Sequence, residues 1–367
     1  MMTRVSTYEV AVIGGGVIGA ACARAVALRQ LHTVILEPGP DPAAASPASA
    51  GMLAAQIEPS DDLMLGLCVR ARDAYEPLAA TLKDTTGIDI AFWRGGIAAA
   101  AFDEPQADRL REAAALQRQA GLRCDWLSGD EVRERWPGAA PDATGALLAS
   151  EDGAVDPQAL TRALLADARR LGASLLARKA DRILVAGDHV TGIVAGGETL
   201  AVGQVVLAAG AWSPLVDGLP RPLAVTPVRG QMAATPWPGE TPPAILYYDH
   251  GYILTRGAEA VLGSTMEHAG FDCRVTNEGL AQIFRSAVRL LPAVARLPVQ
   301  RMWAGLRPVT PDGRPIIGAD PEVQGLFYAT GHGRNGVLLA ALTGDTIGDL
   351  LTKSGTDLDL TPFRPDR

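Results

Sequence analysis

The sequence predicts an α/β fold in which a discontinuous, Rossmann-like domain is joined to an α+β domain with a mixed or antiparallel sheet. Three observations carry this prediction. A β-branched run enters a glycine-rich turn and a helical segment at residues 10–29, and an apolar strand at 202–209 returns to the same sheet. Between residues 223 and 301, alternating short strands replace the strand–helix repeat. The 367 residues suffice for two domains of about 150 residues each.

The first unit has the signature of a Rossmann-like dinucleotide-binding site. The strand that ends at Ile13 leads into the Gly-Gly-Gly-Val-Ile-Gly sequence of residues 14–19, and a helix follows. Gly14 permits the sharp turn, Gly16 lets a pyrophosphate approach the backbone, and Gly19 lets the helix pack closely on the strand. We therefore expect a dinucleotide here.

The start of this helix is the expected anion site, because the N–H groups around Val17 and Ile18 have no partner within the helix. A second strand over residues 33–36 ends at Glu37, 18 positions after Gly19. This is close to the roughly 20 positions expected for an acid that accepts hydrogen bonds from a ribose. Its charge repels a 2′-phosphate and disfavours NADP. NAD and FAD both remain open, since they share the adenosine half.

The middle of the chain reads as an insertion followed by a return to the first sheet. Residues 202–209 are continuously apolar, as in a buried parallel strand, and are closed by Gly210-Ala211-Trp212-Ser213. Helices are predicted over residues 104–121, 128–136 with Ser128 as N-cap, 156–172, 279–291 and 337–351. The domain prediction assigns 1–85, 151–222 and 303–367 to the dinucleotide domain and 86–150 and 223–302 to the substrate domain.

A second GxGxxG sequence occupies residues 331–336, after a strand at 326–330. Only 31 residues follow it, and they hold a helix and a polar tail without a second strand ending in an acid. It is therefore not a second dinucleotide site. Its helix N-terminus can still face a cofactor and stabilise negative charge on a reduced flavin ring. Since no complete NAD(P)H site is left, electrons for a bound FAD must come from the substrate.

Composition and residue spacing exclude several classes of protein. Acidic residues exceed basic ones by 8 and the pI is about 5.2, which disfavours nucleic acid as a partner. No apolar stretch has the length of a transmembrane helix, and the N-terminus lacks a signal-peptide pattern, so a cytoplasmic protein is expected. The four cysteines and five histidines show no metal-ligand spacing. We expect reduced thiols and no bound metal.

Motifs from both ends of the chain resemble one family. The chain resembles the glycine oxidases of the thiamine-biosynthesis type, within the D-amino acid oxidase family of FAD-dependent oxidoreductases. The matching stretches are 12–19, Ser-Ala-Gly-Met-Leu at 49–53, Asp-Gly-Ala-Val-Asp-Pro at 152–157, 209–213, Trp-Ala-Gly-Leu-Arg-Pro at 303–308 and Gly-His-Gly-Arg-Asn-Gly at 331–336.

The resemblance implies an FAD-dependent oxidase for glycine or a similarly small amino acid, with dioxygen as acceptor and a homo-oligomeric state. Arg307 would hold the substrate carboxylate through two parallel N–H bonds, and Tyr252 and Arg334 would enclose the substrate. Further pocket candidates are Met266, Ala50, Gly51, Met52 and His250. The resemblance adds as cofactor contacts Ser49, Ala50, Gly51, Met52, Gly210, Trp212, Gly305, Arg307, Gly331, His332, Gly333, Arg334, Asn335 and Gly336.

The expected reaction removes a hydride from the α-carbon of a substrate with a neutral amine, and water hydrolyses the imine to a 2-oxo acid and ammonia. Dioxygen would be reduced to hydrogen peroxide. In related sarcosine oxidases a cysteine binds the flavin covalently near the position of Gly305, so non-covalent FAD is expected here. Two alternatives stay open: an oxidase or dehydrogenase for D-alanine, D-proline or N-methylglycine, and a non-catalytic FAD-binding protein.

Overall fold

The structure is a computed structural model that describes residues 7–39, 41, 43–58, 61–239 and 241–367. The first four residues, which entered the prediction of the compartment, lie outside this range. The α-helices of the described chain are α1 Val17–Leu28, α2 Ala45–Ala48, α3 Asp62–Asp73, α4 Tyr75–Thr86, α5 Glu104–Gln119, α6 Gly129–Arg135, α7 Pro157–Arg170, α8 Asn277–Leu290 and α9 Gly336–Thr352. Short 3₁₀ turns occupy Gly210–Leu215, Pro292–Arg296 and Thr361–Phe363.

The strands form two large sheets and one short ribbon. In chain order they are β1 Thr7–Ile13, β2 Thr33–Leu36, β3 Met52–Leu53, β4 Ile97–Ala101, β5 Asp125–Ser128, β6 Gly145–Ala149, β7 Gly153–Ala154, β8 Ser174–Leu176, β9 Ala180–Ala186, β10 His189–Ala195, β11 Glu198–Leu207, β12 Thr226–Pro236, β13 Ile245–Tyr248, β14 Gly251–Arg256, β15 Glu259–Gly263, β16 Arg301–Val309, β17 Ile316–Ala319 and β18 Leu326–Thr330.

The first sheet has the strand order β17-β18-β11-β1-β2-β8, with β10 and then β9 attached beside β11. β1 pairs in parallel with β2 and with β11, and β11 pairs in parallel with β18. This confirms the predicted return of an apolar strand to the first sheet. The strand begins earlier than expected, because the polar start of β11 pairs with β10 in a hairpin.

Helices α1 and α9 pack on the strands of this sheet, and α7 packs on α1. Val12, Ile35 and Val206 have no exposed surface, and burying each such side chain contributes about 1.5–3 kcal/mol. Gly344 brings α9 against α1, since a Cβ there would lie 2.7 Å from the backbone carbon of Ala21. The missing side chain at Gly344 thus lets α9 pack closely on α1.

Side-chain caps fix two of the predicted helix starts. Ser128 accepts a hydrogen bond from the Glu131 N–H at 3.3 Å, and the Glu131 carboxylate accepts one from the Ser128 N–H at 2.7 Å. Asp156 accepts hydrogen bonds from the N–H groups of Gln158 and Ala159 at 2.8 and 2.9 Å. Such caps contribute about 1 kcal/mol each, and both lie where the sequence predicted them.

The second sheet has the order β16-β12-β15-β14-β13-β4-β6-β5. All its pairs are antiparallel except that of β13 with β4, so the sheet is mixed. Helix α8 packs on β12, β13, β14 and β15, and β4 to β6 come from the predicted insertion. β16 belongs to this sheet, whereas the predicted domain boundary at residue 303 cuts through it. The reason is its long antiparallel pairing with β12.

All four cysteines are free thiols. Cys22, Cys68 and Cys124 are buried free thiols, and Cys273 is a partly exposed free thiol. Burial raises the pKa of the Cys68 and Cys124 thiols to about 12, which makes them poor nucleophiles.

None of the described helices combines the length and apolar character needed to cross a membrane. Within the same residues, no cluster of three or more His, Cys, Asp or Glu side chains could hold a metal ion.

Candidate active site

A cavity of about 460 Å³ lies between the carboxyl ends of the first sheet's parallel strands and one face of the second sheet. Gly14 and Glu37 line its first end, and Tyr252 and Arg307 line the other. The loop over residues 44–52 borders it between these ends. The carboxyl edge of an open α/β sheet is where such folds bind ligands, so the cavity is the candidate site.

A tight glycine turn forms the wall at the first end of the cavity. Gly14 has φ +105°, and a Cβ there would lie 2.5 Å from the carbonyl oxygen of Ala208. The Glu37 carboxylate accepts a hydrogen bond from the Gly15 N–H at 2.6 Å. The predicted ribose acid therefore also holds the glycine turn. The Val17 N–H donates to Ser46 Oγ at 2.9 Å, a contact that the sequence did not reveal.

The loop over residues 49–52 is held in place from two sides. Ser49 Oγ accepts a hydrogen bond from the Gly51 N–H at 3.0 Å. Gly51 has φ +76°, and a Cβ there would lie 2.1 Å from the Val155 carbonyl oxygen. The guanidinium of Arg256 donates to the Ala50 carbonyl oxygen and, at 3.4 Å, to that of Val155. This partly buried arginine fixes the loop along the cavity wall, and no motif pointed to it.

Arg307 is the main cation at the second end. Its Nη1 donates to the Thr265 carbonyl oxygen at 3.0 Å and its Nη2 to Ser264 Oγ at 2.8 Å. These partners are neutral, and the described residues give Arg307 no carboxylate. Burial lowers the pKa of its guanidinium, because a low-dielectric site disfavours the charged form. An anionic ligand would relieve this cost.

Two glycines make room for the side chains of this end. Gly230 lies opposite Gly305 in the β12–β16 ladder, and a Cβ at 230 would lie 1.9 Å from Nη1 of Arg307. Gly263 pairs with Tyr252, and a Cβ at 263 would lie 2.5 Å from its phenolic oxygen. Since neither glycine has a positive φ, both are required by side-chain space rather than by backbone conformation.

Tyr252 is buried on β14 beside the same cavity. Its hydroxyl lies 3.4 Å from the sulfur of Met232. Burial raises the pKa of Tyr252 to about 12. The phenol therefore keeps its proton at neutral pH and acts as a neutral donor or acceptor, not as a base.

Arg334 forms an ion pair with Glu58 inside the cavity. The same guanidinium donates to the hydroxyl of Tyr247 at 3.2 Å. Glu58 has 6% of its side chain exposed and Arg334 has 26%, so both charges are largely removed from water. The sequence located Arg334, but Glu58 and Tyr247 carry no motif.

His332 lies beneath the cavity at 2% exposure. Its Nε2 is 3.0 Å from Thr343 Oγ. Its Nδ1 is buried without a hydrogen-bond partner among the described residues. Burial lowers the pKa of this imidazole from 6.5 to about 3, so the ring is neutral and one buried nitrogen is left for a ligand.

The buried imidazole predicts a pH dependence of stability. The unfolded chain binds a proton at His332 below pH 6.5, and the folded chain does so only near pH 3. This contribution to stability is therefore present above pH 6.5 and is lost as the pH falls, by about 1.4 kcal/mol per unit. The free energy of unfolding is measured by urea unfolding with excess cofactor at several pH values on both sides of pH 6.5. Plotted against pH, it should change less steeply in His332→Gln than in the wild type. The exposed-histidine control His189→Gln should keep the wild-type slope, and equal slopes in all three proteins would contradict the prediction.

The structure brings most of the predicted site residues to the cavity wall. Those that line it are Gly14, Gly16, Val17, Ile18, Glu37, Ser49, Ala50, Gly51, Met52, Gly210, Trp212, Tyr252, Gly305, Arg307, His332, Gly333, Arg334 and Gly336. Gly19 lies behind the wall, where a Cβ would meet the Gly14 carbonyl oxygen at 1.9 Å. Gly331 and Asn335 shape the turn before α9 without lining the cavity.

Two predicted pocket residues lie elsewhere. His250 is exposed in the tight turn between β13 and β14, with φ +63°. Met266 is 45% exposed, just after the Ser264–Thr265 segment that contacts Arg307. Neither is among the residues that line the cavity. The hairpin turn carries His250 past the end of the sheet, and the chain turns Met266 toward solvent, which the sequence pattern could not show.

The chemistry of the cavity fits the FAD that the resemblance implies. One end offers a glycine turn, a helix N-terminus and the Glu37 carboxylate, as a dinucleotide requires. Farther along, the orphaned His332 Nδ1 offers a buried polar partner. The residues that would hold FAD are therefore residues 14–18, Glu37 and the loop over residues 49–52.

Gly305 bears on how FAD would be attached. It lies on the cavity wall, and a Cβ there would lie 2.4 Å from the Cβ of Ala48. No side chain at 305 is available for a covalent bond. We expect acid precipitation of the holoprotein to leave the flavin in the supernatant. Yellow colour retained in the washed precipitate would contradict this.

Comparisons with known proteins agree over almost the whole chain. A family model described as FAD-dependent oxidoreductase matches residues 9–350. Glycine oxidase of Geobacillus kaustophilus is 35% identical over 363 residues, 97% of this chain and 96% of that protein. The bifunctional protein ThiO/ThiG of Trichormus variabilis is 34% identical over 98% of this chain and 55% of its own length. The crystal structure of the Geobacillus kaustophilus glycine oxidase superimposes with a TM-score of 0.92, covering 99% of each chain.

Proposed function

The chain belongs to the family of FAD-dependent oxidoreductases, and from this premise we propose that it oxidises glycine to glyoxylate. The observation that carries the proposal is the environment of Arg307, a partly buried guanidinium with only neutral partners among the described residues, at the far end of the cavity from the glycine turn. A cavity with a dinucleotide site at one end and a carboxylate receptor at the other fits an amino acid oxidase. The likeness to glycine oxidases supports glycine as the substrate.

The residues at the substrate end of the cavity bind and orient the amino acid in this proposal. Arg307 binds the substrate carboxylate through two parallel hydrogen bonds, which fixes the α-carbon. Ser264 and Thr265 hold the guanidinium from behind. Tyr252 adds a neutral hydroxyl and keeps its phenolic proton. Together they exclude water and orient the substrate, the main source of rate in a site that depends on positioning.

No described residue at this end of the cavity is placed as a free general base. Glu58 is paired with Arg334, and Tyr252 holds its proton. Binding removes the amino group of the substrate from water and so favours its neutral form, because a poorly solvated site disfavours the charged form. The amine nitrogen therefore loses its proton to water on binding. Bound FAD supplies the acceptor for the two electrons removed from the α-carbon and nitrogen.

The overall reaction balances as follows. Glycine loses two electrons and two protons to become an imine, and water hydrolyses the imine to glyoxylate and ammonia. Dioxygen takes up two electrons and two protons and becomes hydrogen peroxide. We propose that the product serves thiamine biosynthesis, as the likeness to the ThiO/ThiG protein supports, and that the enzyme acts as a cytoplasmic homo-oligomer. Light scattering of the purified protein tests the last point.

A substrate panel tests the proposed activity. kcat/KM is measured by peroxide release for glycine, N-methylglycine, D-alanine and D-proline. We expect glycine to be oxidised with release of peroxide. A panel is needed because one methylene is worth only about 1–3 kcal/mol of discrimination between substrates. Oxidation of D-proline or D-alanine without oxidation of glycine would contradict glycine as the substrate, although the type of reaction would stay the same.

A further inference from the structure

The substrate end of the cavity holds two arginines and one carboxylate. Arg307 has no carboxylate partner among the described residues, whereas Arg334 is paired with Glu58. The remaining charged groups on the cavity wall are Glu37, Asp41 and Lys179, at the dinucleotide end. The charge left for the substrate is thus that of one cation, and a ligand with one carboxylate neutralises it.

We propose that Glu58 determines specificity for monocarboxylates by neutralising Arg334. This role of Glu58 rests on the proposed function. A second carboxylate on the substrate would meet an arginine whose charge is already compensated and would face the Glu58 carboxylate itself. Repulsion between like charges in a poorly solvated site is strong. The site therefore accepts amino acids with one carboxylate and rejects those with two.

The position of Glu58 supports this role. Its side chain is 6% exposed, yet it lines the cavity beside the pocket of Arg307. It is joined to Arg334 across 276 residues of sequence, so the contact serves the cavity and not a local turn. The Tyr247 hydroxyl lies 3.2 Å from the same guanidinium and is a second partner for Arg334, one that a substitution of Glu58 leaves in place.

The test compares matched substrates that differ by one carboxylate, in the holoenzyme. The pairs are iminodiacetate with N-methylglycine, and D-aspartate with D-alanine. In Glu58→Gln we expect the kcat/KM ratio of dicarboxylate to monocarboxylate to rise at least about tenfold in one pair or both. In Glu58→Gln/Arg334→Gln the rise should vanish, because the freed cation is gone. The control Glu259→Gln breaks a surface ion pair with Arg301 and should leave both ratios unchanged.

Other outcomes overturn the inference. If Glu58→Gln lowers kcat/KM for both members of each pair alike, Glu58 only supports the fold of the site. If the double variant retains the gain, Arg334 is not the group released. Either result contradicts the role proposed for Glu58.

Binding in the wild-type holoprotein tests the same idea without turnover. Calorimetric titration with acetate and malonate should show tighter binding of acetate, and Glu58→Gln should reverse or narrow the difference at least about tenfold. Malonate bound more tightly than acetate by the wild type would overturn the inference even if the variant does not fold. If the wild type oxidises no amino acid but prefers acetate, the proposed function fails while the charge selection stands.

Discussion

Replacing Arg307 by alanine is expected to remove most of the affinity for glycine. The guanidinium is partly buried and its described partners are neutral, so the substrate carboxylate is its ionic partner in the proposed complex. Truncating one member of a buried charge pair costs about 2–5 kcal/mol, or roughly 30- to 4,000-fold in kcat/KM. Steady-state peroxide release at varied glycine concentration measures this loss.

The matched control for this variant is Arg307→Lys. Lysine keeps the positive charge but offers a single ammonium in place of two parallel N–H donors. It should recover only part of the affinity, and both variants should still bind FAD, since Glu37 and the glycine turn lie at the other end of the cavity. Wild-type kinetics in the alanine variant would remove Arg307 from the substrate site.

Replacing Gly230 by alanine is expected to reduce activity almost as strongly, although no charged group is lost. The added Cβ would lie 1.9 Å from Nη1 of Arg307, so the guanidinium must move. A displacement of this size in a positioning group costs roughly a hundredfold in kcat/KM. The backbone at 230 does not require glycine. Thermal unfolding should show that the variant folds and binds FAD.

Two further variants separate this effect from a general loss of stability. Gly66→Ala adds a methyl on an exposed face of α3 with nothing within 4 Å. It should keep wild-type kinetics and gain about 0.5–1 kcal/mol of stability. Gly230→Ala combined with Arg307→Ala should be no worse than Arg307→Ala alone, because both act on one guanidinium. Fully additive losses would show that Gly230 acts by another route.

The dinucleotide end of the cavity could be predicted in detail because its signal is local. Strand β2 has the predicted bounds, and Glu37 lies beside the glycine turn, as its spacing indicated. A tight turn and a closely packed helix require glycine at positions 14 and 19, and both glycines lie within one short stretch of sequence. Such requirements are visible without knowledge of the tertiary structure.

The substrate end could be predicted only in part because it is assembled across strands. Gly230 reaches Arg307 through the register of β12 with β16, and Glu58 reaches Arg334 across 276 residues. No spacing in the sequence records these contacts. The same limit explains His250, whose place in an exposed hairpin turn depends on where β13 ends. The resemblance identified Arg307 and Arg334, and the structure adds the residues that position and neutralise them.

We propose that glycine delivers its electrons to FAD in this cavity while Arg307 holds its carboxylate. The most direct measurement is the visible spectrum of the purified holoprotein before and after anaerobic addition of glycine, followed by admission of air with peroxide detection. We expect glycine to bleach the flavin bands in the wild type, air to restore them with release of peroxide, and Arg307→Ala to require far more glycine for the same bleaching. A flavin spectrum that glycine leaves unchanged at every concentration, in a protein that binds FAD, would contradict the claim.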